Sequence, residues 1–204
     1  VVREIKEIPG VDEVGIGMSG PFRGAGGTKI STGDMTPQAY PELTQTGWFF
    51  ALPGYFKAMG VPIIRGRDLE ESDIQYPHIS AVINETMAER FWPDQEALDQ
   101  YFYPWGNIGE DPVRVVGICR NYMMRSWDTD TPVFFLPEYC SQCTVHVRWK
   151  GDENHVREQI NRLIRDSGNP YIAGELMDFS AFQMEAFRDT RSTLYVIGFI
   201  AIAS

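Results

Sequence analysis

The chain is short of several things, and each shortage excludes something. Only three of its 204 residues are cysteine, at 119, 140 and 143. That is too few for a disulfide scaffold. Basic residues are outnumbered, 18 Lys and Arg against 28 Asp and Glu, for a formal net charge of −10. No run of basic residues occurs. Nucleic acids and anionic lipid surfaces need clustered Lys and Arg and would be repelled on average, so nucleic acid is not expected as a partner. Long apolar runs are missing too. LYVIGFIAIAS, from Leu194 to Ser204, is apolar throughout but shorter than the ~20 residues a bilayer span takes.

That tail reads in two ways, as a buried C-terminal helix or as the first turns of a transmembrane helix. Arg188 and Arg191 stand just before it, where interfacial anchors lie. The opposite end, VVREIKEIPGV, has Val1, Ile5 and Ile8 at helical spacing before Pro9-Gly10 stops the pattern, and it carries no signal peptide. Both ends are expected to be helices of a longer protein, with residues 1 and 204 at the same end of the molecule.

Reactive constellations are also missing. His78, His146 and His155 lie far apart, and neither HExxH nor GxSxG occurs. His146 falls on the polar face of an alternating strand and is expected to be exposed or satisfied. Glu70, Glu71 and Asp73 read as a solvated acidic turn. The Gly-rich stretch from Gly20 to Gly33 lacks the Gly-Lys-Ser/Thr order of a phosphate-binding loop. Cys140-Ser-Gln-Cys143 supplies two thiols where a closed zinc site needs four ligands. A local disulfide or free thiols are the expected state, and a metal site or a redox pair the alternatives. No catalytic, cofactor-binding or metal-ligating residue is expected, and the chain is not expected to be an enzyme.

What is present suffices for a packed core: 43% hydrophobic residues and 13% aromatics. VDEVGIGM (Val11–Met18) alternates as a strand does. An apolar stretch spans Leu43 to Leu52, and a short helix is expected near Pro53 to Met59. ISAVI (Ile79–Ile83) reads as a compact strand. Asn84 then suits an N-cap, before a helix with Met87, Ala88, Phe91 and Trp92 on one face. VRVVGIC (Val113–Cys119) and PVFFL (Pro132–Leu136) read as buried strands. In TVHVRW (Thr144–Trp149), Val145, Val147 and Trp149 share a face. Gly151-Asp152 opens an amphipathic helix on Val156, Ile160, Leu163 and Ile164, closed by Gly168-Asn169-Pro170. A strand is expected from Tyr171 to Leu176, and a helix from Asp178 to the end. Strands and helices mix without regular alternation, which predicts an α+β fold. Asn84-Glu85-Thr86 matches a glycosylation pattern but reads better as the helix cap.

Several of these pieces recur in a known order. Gly54-Tyr55-Phe56, Gly60, Gly66-Arg67-Asp68-Leu69 and Asp73 precede Val82-Ile83-Asn84-Glu85, Met87-Ala88 and Arg90-Phe91-Trp92-Pro93; Val115-Val116-Gly117-Ile118 follows. This sequence resembles the extracytoplasmic domain of MacB/FtsX-type ABC transporter permeases. Leu69 departs from the family's usual Phe, and Tyr101 to Gly106 (YFYPWG) is unusually aromatic.

The resemblance implies a periplasmic-core-like fold of two subdomains. The core subdomain would take about 1–50 plus 111–193, and the inserted one about 51–110, with 194–204 beginning a transmembrane helix. It implies a bacterial inner-membrane protein with this domain on the periplasmic side, working as a permease dimer. Its partners would be an ABC ATPase subunit or domain and a periplasmic adaptor or cargo. Related proteins serve drug efflux, lipoprotein release, peptide-antibiotic resistance or control of a cell-wall hydrolase. A stand-alone ligand- or peptide-binding module is the alternative. Within the signature, Gly60 and Gly66 are expected at turns, Arg67 to pair with Asp68 or Asp73, and Tyr55, Phe56, Phe91 and Trp92 to be apolar anchors. Met123, Met124 and Trp127, and the YFYPWG segment, are the candidate contact surfaces.

Overall fold

The computed structural model describes residues 2–18, 26–32, 46–74, 80–106, 111–122, 131–139, 143–168, 172–178 and 195–200. In chain order the described elements are α1 (Val2–Lys6), β1 (Val11–Met18), β2 (Gly26–Thr28), β3 (Thr46–Phe50), α2 (Tyr55–Met59), β4 (Ile63–Gly66), β5 (Ser80–Asn84), α3 (Glu85–Phe91), β6 (Tyr101–Phe102), β7 (Val113–Cys119), β8 (Val133–Leu136), β9 (Cys143–Trp149), α4 (Glu153–Asp166), β10 (Ile172–Asp178) and β11 (Tyr195–Ile200). The fold is mixed α+β, as the sequence predicts. It forms two units, one from residues 1–20, 54–60 and 139–204, the other from 21–53 and 61–138.

The first unit holds a four-stranded antiparallel sheet in the order β1-β9-β11-β10. Strand alternation sorts β9 onto two faces. Val145, Val147 and Trp149 join Val14 of β1 on one side, where Ile5 and Ile8 and the Val156 and Ile160 face of α4 cover them. The apolar stripe of α4 thus does what its helical period predicts. Asp152 caps that helix, its side chain accepting from the Asn154 amide at 2.9 Å.

The other face of β9 departs from the expectation. His146 is wholly buried rather than exposed. Alternation alone assigns it to the polar side, but the short helix α2 lies on that side and covers it. The end of the chain departs as well. Residues 195–200, expected to be helical, form a strand between β9 and β10. A short apolar run such as YVIGFI cannot be told from a helix by periodicity, and its β-branched and aromatic residues suit a central strand. Among the described residues no helix is long and apolar enough to cross a membrane. Residues 1 and 204 lie outside the described residues.

The second unit is built on a mixed sheet in the order β2-β3-β8-β5-β7-β4, with β6 also paired to β7. β3, β8, β5 and β7 are its interior strands, and β5, β7 and β8 read as near-continuous apolar runs, as strands covered on both faces do. Its core gathers Ile83, Met87, Phe91, Phe102, Val115 and Phe134, among others. The Met87–Phe91 face predicted for α3 is the face that is buried.

Candidate functional site

The signature from Gly54 to Pro93 divides into three fixtures. The first is α2 in the first unit. Gly54 (φ 89°) and Gly60 (φ 68°) bracket it, both in the left-handed region that favours glycine. Tyr55 and Phe56 are buried, as expected of anchors. Their rings meet edge-on, and Tyr55 also meets His146 edge-on with centroids 5.2 Å apart. The turn sits directly on β1. A β-carbon on Gly15 would come within 2.6 Å of the Tyr55 Cα and 2.9 Å of the Gly54 carbonyl oxygen. Arg148 of β9 donates to the Lys57 carbonyl at 3.2 Å.

The second fixture is a turn in the second unit. Arg67 grips Asp73 with two parallel hydrogen bonds, Nη1 to Oδ2 at 2.6 Å and Nη2 to Oδ1 at 3.0 Å. Of the two candidate partners, Asp73 takes the side-chain fork, while Asp68 offers its backbone carbonyl to Nη1 at 2.9 Å. Asp73 Oδ2 also accepts from the Glu70 amide at 2.8 Å. Burial alone would push the Asp73 carboxyl up, but bonds from Arg67, the Glu70 amide and Ser80 together outweigh it and hold the carboxyl below its ordinary value. Glu70 and Glu71 stay exposed, so the acidic cluster is a solvated turn around one buried carboxylate. Gly66 (φ 72°) lets the strand before this turn approach β7. A β-carbon there would meet the Val116 carbonyl oxygen at 2.4 Å.

The third fixture is the start of α3. Asn84 caps the helix, accepting from the Met87 amide at 3.0 Å. Its Oδ1 also accepts from the Val133 amide at 2.9 Å, and its Nδ2 donates to the Thr131 carbonyl at 2.9 Å. Glu85 accepts from the Asn121 amide at 2.8 Å, and Asn121 Oδ1 accepts from the Thr86 amide at 3.1 Å. Asn84 and Glu85 therefore bind the backbone just after β7 and just before β8. Those are the two stems of the connection that carries Met123, Met124 and Trp127, and these three lie outside the described residues. Sequence reasoning found the cap but missed the stems. A side chain that bonds to residues far along the chain leaves no local signal.

The remaining candidates fall elsewhere. In the YFYPWG segment Phe102 is buried, while Tyr101 and Trp105 are 51% and 41% exposed. Trp105 has a left-handed backbone (φ 62°) and meets Trp48 edge-on with centroids 6.4 Å apart. His155 is exposed, and His78 lies outside the described residues. Cys143 is disulfide-bonded, while Cys119 is free and buried, its thiol pushed up by desolvation and so unreactive. Cys140 lies outside the described residues. Among the described residues no group of three or more His, Cys, Asp or Glu is placed to hold a metal ion. Among the described residues, the signature's side-chain bonds from Arg67, Asp73, Asn84 and Glu85 hold turns, a cap and strand ends.

Several solved structures are similar to this chain, three of them as follows. A domain assigned to a permease protein of Porphyromonas gingivalis matches at 15% identity and a TM-score of 0.57, covering 100% of this chain and 82% of that one. The extracellular domain of the noncanonic ABC-type transporter YknZ from Gram-positive bacteria matches at 13% identity and 0.45, covering 100% and 71%. The periplasmic region of MacB from Actinobacillus actinomycetemcomitans matches at 14% identity and 0.46, covering 67% and 52%. The chain thus spans about half the length of that MacB region. At these identities the P. gingivalis domain speaks for the fold alone. No curated protein matches. The sequence profile of the MacB-like periplasmic core domain matches residues 1–176. With the signature residues in order and the fold in agreement, the chain belongs to the MacB-like periplasmic core domain family.

Proposed function

We propose that this chain is the extracytoplasmic domain of an ABC transporter permease and works mechanically rather than chemically. The continuous family match over residues 1–176 carries this reading. The signature supports it, because Arg67, Asp73, Asn84 and Glu85 are engaged in holding turns and strand ends. ATP-driven movement of cytoplasmic ATPases reaches the domain through membrane helices of a permease dimer, and the domain acts on cargo or on a periplasmic adaptor, in efflux or in lipoprotein or peptide export. The unit that contains both chain ends serves as the core subdomain, and the unit from 21–53 and 61–138 as the inserted one. The backbone passes between them at 20–21, 53–54, 60–61 and 138–139, so a movement received at the chain ends has several covalent routes.

The test is sidedness in the full-length protein. A cysteine at Tyr139, which is exposed, should react with a membrane-impermeant maleimide added to cells with a permeabilised outer envelope and an intact inner membrane. Labelling only after the inner membrane is broken would overturn the reading. The ATPase partner should co-purify with the full-length protein in mild detergent.

A further inference from the structure

His146 is a buried polar side chain with no bonding partner among the described residues. It is 0% exposed, and neither ring nitrogen has a hydrogen-bond partner among them. Such a group is costly in its neutral form and far costlier charged. Its surroundings offer little to hold a proton. Across the sheet it faces Gly15 of β1 and Ile197 of β11. On its own face, β9 adds Thr144 and Arg148. β1 adds Glu13, paired in register with Arg148 rather than with His146. α2 contributes Tyr55, edge-on to the ring, and Lys57, which is exposed. The only titratable residue in β11 is Tyr195. The nearby cations oppose a second positive charge, and the carboxylate of Glu13 stands opposite an arginine.

A proton on His146 must therefore be solvated by opening the structure, and the two coverings differ in strength. β9 is hydrogen-bonded on both sides, to β1 and to β11. α2 is a single short helix laid on the sheet outside its strand ladder, with the Arg148 bond to Lys57 beside it. Glycines in the left-handed region stand at both of its ends, and glycine changes φ and ψ at little steric cost. We propose that α2 is an acid-released latch: protonation of His146 lifts the turn Gly54–Gly60 off β1 and β9 and admits water to the ring. Burial, which holds the imidazole's pKa down to about 3, agrees with this geometry. The latch stands apart from the transport role, since it invokes only the packing of the first unit.

Hydrogen exchange of the chain between pH 7 and pH 4.5, corrected for intrinsic rates, tests the latch. The opening equilibrium of residues 54–60 should rise by up to about tenfold per pH unit below ~6.5, while the amides of β9 stay protected. In His146→Phe, which keeps a ring beneath Tyr55, that pH dependence should vanish. Opening of 54–60 that does not change with pH, or α2 and β9 exchanging together, overturns the proposal. Should the variant fail to fold, the imidazole resonance of His146 in the unsubstituted chain decides. A ring that titrates near 6.5 while 54–60 remain protected overturns the latch, and a ring that charges only as 54–60 open supports it.

Discussion

Gly15 lies so close beneath Tyr55 that a β-carbon on it would stand 2.6 Å from the Tyr55 Cα. The contact is backbone against backbone, so neither partner can rotate away. Gly15→Ala forces α2 off β1 or bends the strand. Overpacking of this kind costs about 1–3 kcal/mol. The urea midpoint of unfolding should fall with the slope little changed. A midpoint equal to that of the parent chain would show that α2 does not seat on Gly15.

Gly117 in β7 makes the same point in the second unit. A β-carbon there would lie 2.1 Å from the Arg67 carbonyl oxygen. Gly117→Ala should destabilise at least as much as Gly15→Ala, because the obstructing backbone atom is closer and its residue is itself tied to β7, the Arg67 amide donating to the Val116 carbonyl at 3.0 Å. Circular dichroism during thermal unfolding reads the difference.

Asn84 uses both ends of its amide. Asn84→Ala removes a cap, worth about 0.5–2 kcal/mol, and strands the buried Val133 amide, worth about 1–3 kcal/mol more. Asn84→Asp keeps both accepted bonds but loses the donor to the Thr131 carbonyl and sets a carboxylate against it. The expected order of stability is Asn, then Asp, then Ala, measured by urea unfolding above pH 6. An alanine variant as stable as the aspartate would mean the long-range bonds contribute nothing.

Arg67 and Asp73 should couple. Removing either one leaves the other without its charged partner, so Arg67→Met and Asp73→Asn each destabilise, and the double variant loses less than the sum. A double-mutant cycle measures the coupling, expected at about 0.5–3 kcal/mol for a bidentate pair with one buried partner. Additive losses would sink it.

Acid should weaken the fold in two separable windows. The folded-state pKa of His146 is depressed to about 3 from 6.5. The unfolded chain therefore takes up the proton first, and stability is full above 6.5 and falls as pH drops from 6.5 towards 3, by at most ~1.4 kcal/mol per unit. Asp73 is likewise held below its ordinary 3.8, so its contribution is present above 3.8 and is lost as pH falls through its folded value. His146→Phe should flatten the first window and leave the second. Parallel pH–stability curves for the two proteins would refute the assignment.

Much of the framework was legible because it depends on local spacing. Val11–Met18 and Val113–Cys119 alternate or run apolar as strands do, and both are strands. Asn84 and Asp152 stand one residue ahead of helical patterns, and both cap. The fixtures were less legible because their partners are distant. Nothing near Asn84 in sequence announces Thr131 or Val133, and Asp73 competed with Asp68 until the fork fixed the pairing.

The sequence by itself determined the family, the periods of the helices and strands, and the glycines at tight turns, since each is written in short-range order. Tertiary structure decided which face each period buries and what caps it. TVHVRW places Val145, Val147 and Trp149 on one side under any register. Only the seating of α2 on Gly15 made the opposite side a second interior and shut His146 away from water. A residue's alternation fixes its side of the sheet, but what lies on that side is chosen by segments that meet it across the fold.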